Sequence, residues 1–226
     1  MAKKIVRGIC VYCGNLDEVT EDHVIPKCLF LTGRPGDMPK VNACKACNNA
    51  EKSVNDTYLR DFLLLDMDSA EQPVPQQLFE KFARAVHRDQ SIFAHHAMRS
   101  QPVELKTPSG LFAGLAYGIQ LPDERITKEL TMIVRGLYYA YIDERLPQMT
   151  PFEVIRQRDM SEVEANIQVL LKLGGKYMPV GDGDVFECVY GCAVEKPDVS
   201  LWYLNFYRRV VFSVATNRRG SPGNNR

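Results

Sequence analysis

The first quarter of the chain contains short strand-like runs followed by one helical pattern. Residues 5–10 and 19–24 are strand-like, residues 32–40 are rich in Gly and Pro, and residues 41–43 favour a returning strand. Apolar residues then recur at helical spacing. This stripe consists of Val54, Tyr58, Phe62 and Leu65. The pattern predicts a β-hairpin followed by a helix.

The middle of the chain changes between helical and strand-like patterns. Residues 66–75 contain Pro73, Pro75 and three acidic residues, which indicates a boundary. Residues 76–98 favour a helix with an apolar side. Strands are predicted over residues 103–106 and 111–120, joined by a turn at the Pro-Ser-Gly sequence between them.

The last part of the chain has the clearest helix and a group of strands. The helix covers residues 123–142, with Ile126, Leu130, Ile133, Leu137 and Tyr141 on one face. A capping box at Ser161 predicts a further helix to Leu173, which Gly174 ends. Three strand-like runs predict an antiparallel sheet, and the last two are joined by a turn at Arg208-Arg209 or form one continuous strand. These runs are residues 185–193, 200–207 and 210–215.

Composition narrows the class of protein. The chain has 226 residues, of which 45% are hydrophobic, and its formal net charge is zero. The general basic charge of many nucleic-acid-binding proteins is therefore missing, and any nucleic acid must be held by local Lys and Arg residues. The chain begins MAKKIVRGIC without an apolar signal segment, and no run has the length of a membrane span. We expect a cytoplasmic protein that does not bind membranes.

Four of the seven cysteines form two pairs with the spacing of a zinc site. Cys10 and Cys13 make the first C-x2-C pair, and Cys44 and Cys47 make the second. Four thiolates close the tetrahedral coordination of one Zn²⁺, so we assign this zinc a structural role and no catalytic one. We expect the remaining cysteines to be free thiols in a reducing compartment.

The segment between the two cysteine pairs carries the candidate chemistry. It contains Glu21-Asp22-His23-Val24-Ile25-Pro26, and Asn48 follows the last cysteine of the second pair. A His of near-neutral pKa suits the activation of water, and Asp and Asn oxygens suit Mg²⁺ or Mn²⁺. On a strand, Asp22 and His23 would point to opposite faces, so a bend at the strand end is needed to bring both to one phosphate.

The combination of Asp-His-Val-Ile-Pro, paired C-x2-C motifs and a following Asn resembles the HNH endonucleases of the ββα-metal class. The resemblance covers about the first 60 residues. It implies a metal-dependent endonuclease that hydrolyses DNA phosphodiester bonds and leaves 5′-phosphate and 3′-hydroxyl ends, with RNA not excluded as a substrate. It also implies that His23 is the general base and that Asp22 and Asn48 hold the catalytic Mg²⁺ or Mn²⁺.

Two positions depart from the pattern of that family. Many members have a middle Asn about nine residues before the final Asn, where this chain has Pro39. Many also have Lys three residues after the final Asn, where this chain has Glu51 and then Lys52. By the resemblance, the middle Asn mainly orients the loop that carries the base, so its loss bears on efficiency rather than reaction type.

We therefore predict an α+β protein with four parts. Residues 1–66 form an HNH (ββα-metal) nuclease domain stapled by zinc, and residues 67–100 form a helical connector. Residues 101–216 form an α+β domain of unknown role with an antiparallel sheet, and residues 217–226 form a disordered tail, because they are polar and Gly-rich.

Two other functions remain open. The N-terminal part could be a non-catalytic zinc module that binds nucleic acid or protein. Alternatively, the chain could be the nuclease effector of a bacterial or phage-related defence system, with the C-terminal domain controlling it through a regulatory partner or homo-oligomer. The presence of Asp22, His23 and Asn48 together favours a nuclease over mere binding, which requires none of them.

Other reactive residues are predicted to be structural. We expect His87, His95 and His96 to be structural or solvated, and Cys188 and Cys192 to be buried thiols. Four aromatic residues near the C-terminus could stack on bases but are more typical of a core. They are Trp202, Tyr203, Phe206 and Tyr207.

Overall fold

The computed structural model shows a mixed α+β protein with three antiparallel sheets in the residues that it describes. It describes residues 6–30, 33–65, 76–88, 100–107, 109–119 and 123–217. None of the helices in this part of the chain combines the length and the apolar composition needed to cross a membrane.

The first sheet is formed by the three N-terminal strands. They are β1 (Val6–Ile9), β2 (Leu16–His23) and β3 (Lys40–Cys44), and they pair in the order β1-β2-β3. A 3₁₀ turn at Lys27–Leu29 follows β2. The predicted strands are present, and β2 begins at Leu16 rather than at residue 19.

A helical segment follows β3 directly. It starts as a π-helical turn over Ala46–Lys52 and continues as α1 (Ser53–Leu65). The helix is present as predicted, and Tyr58 and Phe62 of its predicted apolar stripe are buried. Val54 of that stripe is 52% exposed, whereas Leu59 and Leu63 are fully buried. The buried face is wider than the predicted stripe because α1 packs against several elements, among them the 3₁₀ turn and the long helix described below.

The middle of the chain contains a helix and a hairpin. The helix is α2 (Gln76–Arg88), and the hairpin joins β4 (Ser100–Lys106) to β5 (Phe112–Ile119). The predicted continuation of α2 to residue 98 lies outside the described residues, as do His95 and His96. The hairpin is present as predicted, and its apolar residues Val103, Leu105, Phe112 and Leu115 are exposed.

The long helix α3 (Glu124–Ile142) is the central element of the core. Its first turn is capped by the Asp123 carboxylate, which accepts hydrogen bonds from the backbone N–H groups of Arg125 and Ile126. This helix lies where the apolar stripe predicted it. It contacts α1 and β3 on one side and strands of the large sheet on the other.

The large sheet contains five antiparallel strands, and a further helix packs on it. The strands are β6 (Phe152–Gln157), β7 (Lys176–Val180), β8 (Phe186–Ala193), β9 (Lys196–Phe206) and β10 (Val210–Thr216). Their order is β6-β10-β9-β8-β7, so the three predicted strands form the centre and two strands that were not predicted form the edges. The helix is α4 (Met160–Lys172). Its cap is the Asp159 carboxylate, so the capping box predicted at Ser161 is wrong.

One buried cluster joins the N-terminal and C-terminal parts of the chain. It extends from Cys10 through α1 and α3 to Val214. Polar contacts cross the same interface: the Tyr207 hydroxyl donates to the Leu29 carbonyl at 2.8 Å, and Arg209 donates to the Leu63 carbonyl. The predicted boundary at residue 66 therefore does not separate two hydrophobic cores.

The C-terminal aromatic residues belong to the core. Trp202 and Phe206 are fully buried, and Tyr203 and Tyr207 are less than 10% exposed. The Trp202 ring stacks on Tyr190, with 4.4 Å between the ring centroids. The expectation that these aromatics form core, and not a base-stacking surface, is confirmed.

The predicted tail begins at a residue that is bonded to the sheet. Asn217 donates from its backbone to the Pro151 carbonyl and from its side chain to Asp198. Asn217 therefore is not part of a disordered tail, and residues 218–226 lie outside the described residues.

Candidate metal centre and the His23 site

The four predicted zinc ligands lie together. The Sγ atoms of Cys10, Cys13, Cys44 and Cys47 are all within 4.8 Å of one another. Those of Cys13 and Cys44 are 3.8 Å apart. Four thiolates about 2.3 Å from one zinc ion in a tetrahedron would be about 3.8 Å from each other. The cluster could therefore hold a metal ion such as Zn²⁺.

The backbone around the first pair prepares this geometry. The Gly14 N–H donates to the Cys10 carbonyl at 2.9 Å, which closes the turn between the two ligands. Gly14 has a φ of 79° and lies against the guanidinium of Arg145, so a side chain at this position would be both strained and obstructed. The turn is thus held by a residue that follows α3 in the chain.

Burial and mutual proximity oppose the ionisation of two of the four cysteines. Burial raises the pKa of Cys13 and of Cys47, and the neighbouring Cys10 thiol raises both further. Four thiols packed this closely do not all ionise without a compensating positive charge, which a metal ion supplies.

Asp22 lies in a buried cluster of charged groups. Its side chain accepts a hydrogen bond at Oδ2 from the Tyr12 hydroxyl at 2.9 Å, and the Lys52 ammonium lies 3.8 Å from the same oxygen. Burial raises the pKa of Asp22, although Lys52 and Tyr12 act in the opposite direction. The expected cation ligand is therefore held inside the protein by two side chains.

Lys52 is the centre of this cluster and was not a predicted site residue. It is 1% exposed, and its Nζ donates to the His23 carbonyl and to Asp56 Oδ1, both at 3.1 Å. Burial lowers the pKa of Lys52, but the carboxylates of Glu129, Asp56 and Asp22 outweigh it and raise the pKa overall. Lys52 therefore stays charged in the interior.

Glu129 of α3 completes the cluster from the other side. Its carboxyl group is fully buried, lies 3.9 Å from Lys52 Nζ, and has no hydrogen-bond partner in the described part of the chain. Burial raises the pKa of Glu129 well above its ordinary range. The sequence signal that could have identified it is a single acidic residue on the apolar face of the 123–142 helix.

His23 occupies the end of β2 and points away from Asp22. Both residues take part in the β2–β3 ladder, with His23 opposite Lys40 and Asp22 opposite Val41. The expected bend at the strand end comes at Val24 and Ile25, after His23, so Asp22 and His23 are successive residues of one strand and their side chains point to opposite faces. The structure thus places Asp22 inward and leaves His23 half-buried near the surface.

The surroundings of His23 are positively charged. Burial lowers the pKa of His23 to about 4, and Lys27, Lys40 and Arg34 lower it further, against a smaller opposite effect of Glu21. Its Nδ1 is buried without a hydrogen-bond partner among the described residues. The imidazole is therefore neutral at pH 7, and with a pKa of about 4 it is a weaker base than the near-neutral histidine that was expected.

Asn48 lies on the Asp22 side of β2. Its Nδ2 donates to the Thr20 hydroxyl at 3.3 Å, and Thr20 shares a strand face with Asp22 because the two are separated by one residue. The structure therefore brings Asn48 to the Asp22 face, while His23 lies on the other.

Comparison with known proteins finds no matching family model, no similar curated protein and no similar solved structure.

Proposed function

We propose that this chain is a metal-dependent endonuclease of the HNH type, with His23 as its general base. The observation that carries the proposal is the neutral, half-buried imidazole of His23 among Lys27, Arg34 and Lys40. A base for phosphodiester hydrolysis must be unprotonated at neutral pH, and cations around it attract the phosphate backbone. The chain has no net charge, so these local cations would provide the binding site.

The order of the elements supports this reading. The hairpin of β2 and β3 is followed by the helical segment that begins at Ala46, as in a ββα-metal module, and the four cysteines tie its ends together. Pro39 stands where many HNH members have the middle Asn. Its carbonyl accepts the Val24 N–H at 2.9 Å, so this position fixes the loop after His23 through its backbone.

The position of Lys52, one residue beyond the Lys of the family pattern, can also be explained by the local structure. A π-helical turn closes i→i+5 hydrogen bonds and so contains one residue more than an α-helical turn. Lys52 is one residue further from Asn48 than in the family pattern, and the π-helical turn covers Ala46–Lys52. The additional turn residue thus compensates for the offset, and π-turns of this kind are frequent at functional sites.

The catalytic cation would be held by oxygen atoms of Asp22 and Asn48. Tyr12 and Lys52 both approach Oδ2 of Asp22, and Asn48 uses its Nδ2 toward Thr20. The remaining carboxylate and amide oxygens are the hard ligands that Mg²⁺ and Mn²⁺ prefer. A divalent cation there would neutralise negative charge that develops on the phosphate and on the leaving oxygen.

One observation favours a second candidate, a non-catalytic zinc module that binds nucleic acid. Asp22 is only 7% exposed and is engaged by Tyr12 and Lys52. A ligand for a substrate-bound cation is normally open to the substrate and lies on the same face as the base, whereas Asp22 and His23 lie on opposite faces of β2. If Asp22 only stabilises the buried charged cluster and binds no cation, the Lys and Arg residues around His23 would bind phosphates without hydrolysing them.

A nuclease assay with matched histidine variants separates the two candidates. Supercoiled DNA, linear DNA and RNA are incubated with wild type, His23→Ala and His87→Ala, with Mg²⁺ or Mn²⁺ titrated in each case. His87 is an exposed histidine on α2 and serves as the control. We expect wild type and His87→Ala to cleave. The cleavage rate of His23→Ala should be about 100-fold or more lower, because a general base typically accelerates a reaction by at least this factor.

Binding and zinc content are measured on the same proteins. His23→Ala should retain both, because phosphates are bound by Lys and Arg and the zinc is bound by cysteines. Cleavage by His23→Ala at the wild-type rate would refute the proposed mechanism. Binding without cleavage by wild type would establish the non-catalytic module instead.

A further inference from the structure

The buried ammonium of Lys52 connects α1 to the last residue of β2. Its Nζ donates to the His23 carbonyl at 3.1 Å and to Asp56 Oδ1 at 3.1 Å. Lys52 and Asp56 are separated by one turn of helix, which places both side chains on the same face. Asp56 thus anchors Lys52, and Lys52 in turn binds the backbone of His23.

The His23 carbonyl is where β2 stops pairing with β3. Beyond it, the Val24 N–H donates to the Pro39 carbonyl at 2.9 Å. Val24 itself is fully buried, and its methyl groups lie against Gly136 of α3. The peptide between His23 and Val24 is therefore fixed by Lys52 on one side and by α3 on the other.

Burying a lysine in order to satisfy one backbone carbonyl is unfavourable in free energy. Taking an ammonium out of water costs several kcal/mol unless charged partners compensate it. Here three carboxyl groups surround the Lys52 ammonium, namely those of Asp56, Asp22 and Glu129. A neutral donor could satisfy the same carbonyl at lower cost, so the arrangement indicates a task that requires a rigid and charged hydrogen bond at His23.

We propose that Lys52, held by Asp56, is a positioning residue that fixes the His23 backbone and thereby the imidazole in its working orientation. The proposal rests on the function proposed above. It assigns Lys52 no contact with substrate or with the attacking water. The phosphate is bound by Lys27, Arg34 and Lys40, which Lys52 does not contact in the described structure.

Kinetics of four variants test the proposal. Lys52→Met removes the ammonium, Asp56→Asn removes its anchor, and the double variant removes both. Lys172→Met, at an exposed lysine in the last turn of α4, is the matched control. We expect Lys52→Met to lower kcat by about 100-fold and to change KM by less than about twofold, because small displacements of a catalytic group cost rate rather than binding.

Asp56→Asn should lower kcat by about 10-fold, since it weakens but does not remove the hydrogen bond to His23. In the Lys52→Met background Asp56→Asn should have no additional effect, because the two residues act through one contact. Equal loss of kcat and of substrate affinity, or additive effects of the two substitutions, would overturn the positioning role.

Hydrogen exchange gives a readout that does not depend on cleavage. The Val24 N–H should exchange about 10-fold or more faster in Lys52→Met and Asp56→Asn than in wild type, and at the wild-type rate in Lys172→Met. Zinc content and the unfolding transition are recorded for each protein. If Lys52→Met does not fold, Asp56→Asn supplies the test, since Asp56 is partly exposed.

The outcomes separate the two proposals. A wild-type protein that cleaves no substrate refutes the proposed function and the catalytic part of this inference together. A wild type that cleaves and requires His23, combined with unchanged kcat and unchanged Val24 exchange in Lys52→Met, refutes the Lys52 proposal alone.

Discussion

His23 combines partial burial with positively charged surroundings. It is half-buried at the end of a strand, and the charges that reach it are mostly positive. Both effects disfavour the imidazolium form, so the residue is neutral over a wider acidic range than an ordinary histidine. This property also has a consequence for stability that is independent of any activity.

The stability of the protein should depend on His23 between pH 6.5 and 4. The pKa of His23 is about 4 in the folded protein and 6.5 ordinarily. In that window the unfolded chain binds more protons than the folded one, so the free energy of unfolding falls as the pH is lowered. His23→Gln removes this contribution, and its free energy of unfolding should fall less steeply over the same window.

Urea denaturation at a series of pH values checks this prediction. The exposed His87 provides the control variant His87→Gln, whose pH dependence should match that of wild type. Parallel curves for wild type and His23→Gln would show that the folded protein does not depress the pKa of His23.

At the scale of elements, α3 determines how closely the parts of the site pack. It contributes Glu129 to the Lys52 cluster and presents Gly136 to Val24, the residue after His23. A Cβ atom at position 136 would lie 2.7 Å from both methyl groups of Val24. The missing side chain therefore allows α3 to support the end of β2 directly.

Gly136→Ala should destabilise the protein even though Ala is the better helix former. The helix-propensity gain is about 1 kcal/mol, whereas overpacking a close contact costs about 1–3 kcal/mol. We expect a net loss of about 1 kcal/mol in the free energy of unfolding. Val24→Ala removes the obstructing methyl groups, so the double variant should be more stable than the sum of the single effects predicts. Strict additivity in urea denaturation would contradict this close packing.

At the scale of the whole molecule, the segment with the four clustered cysteines and the large sheet share one core. The buried cluster runs from Cys10 to Val214, and Asp37 accepts the Gly181 N–H of the turn after β7. Residues from both ends of the chain therefore lose apolar contacts together when either part unfolds. A small segment that depends on a metal for its folding would in this arrangement also stabilise its larger neighbour.

Loss of the metal should therefore unfold more than the N-terminal segment. We expect about one zinc per chain by elemental analysis, and little or none in Cys44→Ser. Hydrogen exchange in Cys44→Ser should show lost protection in residues 6–65 and also in α3, because α3 packs on α1 and β3. The control is Cys192→Ser, at a half-buried cysteine of β8 outside the cluster, which should keep its zinc. Loss of protection confined to residues 6–65 would mean that the two parts fold independently.

Local patterns in the sequence determined the elements that carry strong signals. The cysteine spacing predicted the cluster, the 3.6-residue period predicted α3, and apolar runs predicted the central strands β8, β9 and β10. The edge strands β6 and β7 were not predicted because they are short. In β7, Pro179 also interrupts the sequence pattern of a strand. The N-cap of α4 could not be identified from the sequence, because Asp159 and Ser161 are both suitable N-cap residues. Only the backbone geometry selects Asp159.

The sequence motif proposed Asp22, His23 and Asn48 as site residues, and only the tertiary structure decided how they are arranged and which other residues surround them. The continuation of the β2–β3 ladder through His23 turns Asp22 inward. The burial of Lys52 depends on Glu129, which belongs to a different helix far along the chain. The spacing of residues along the chain reflects local geometry. Burial and charge pairing depend on contacts between segments that are distant in the sequence, and a local pattern carries no information about those contacts.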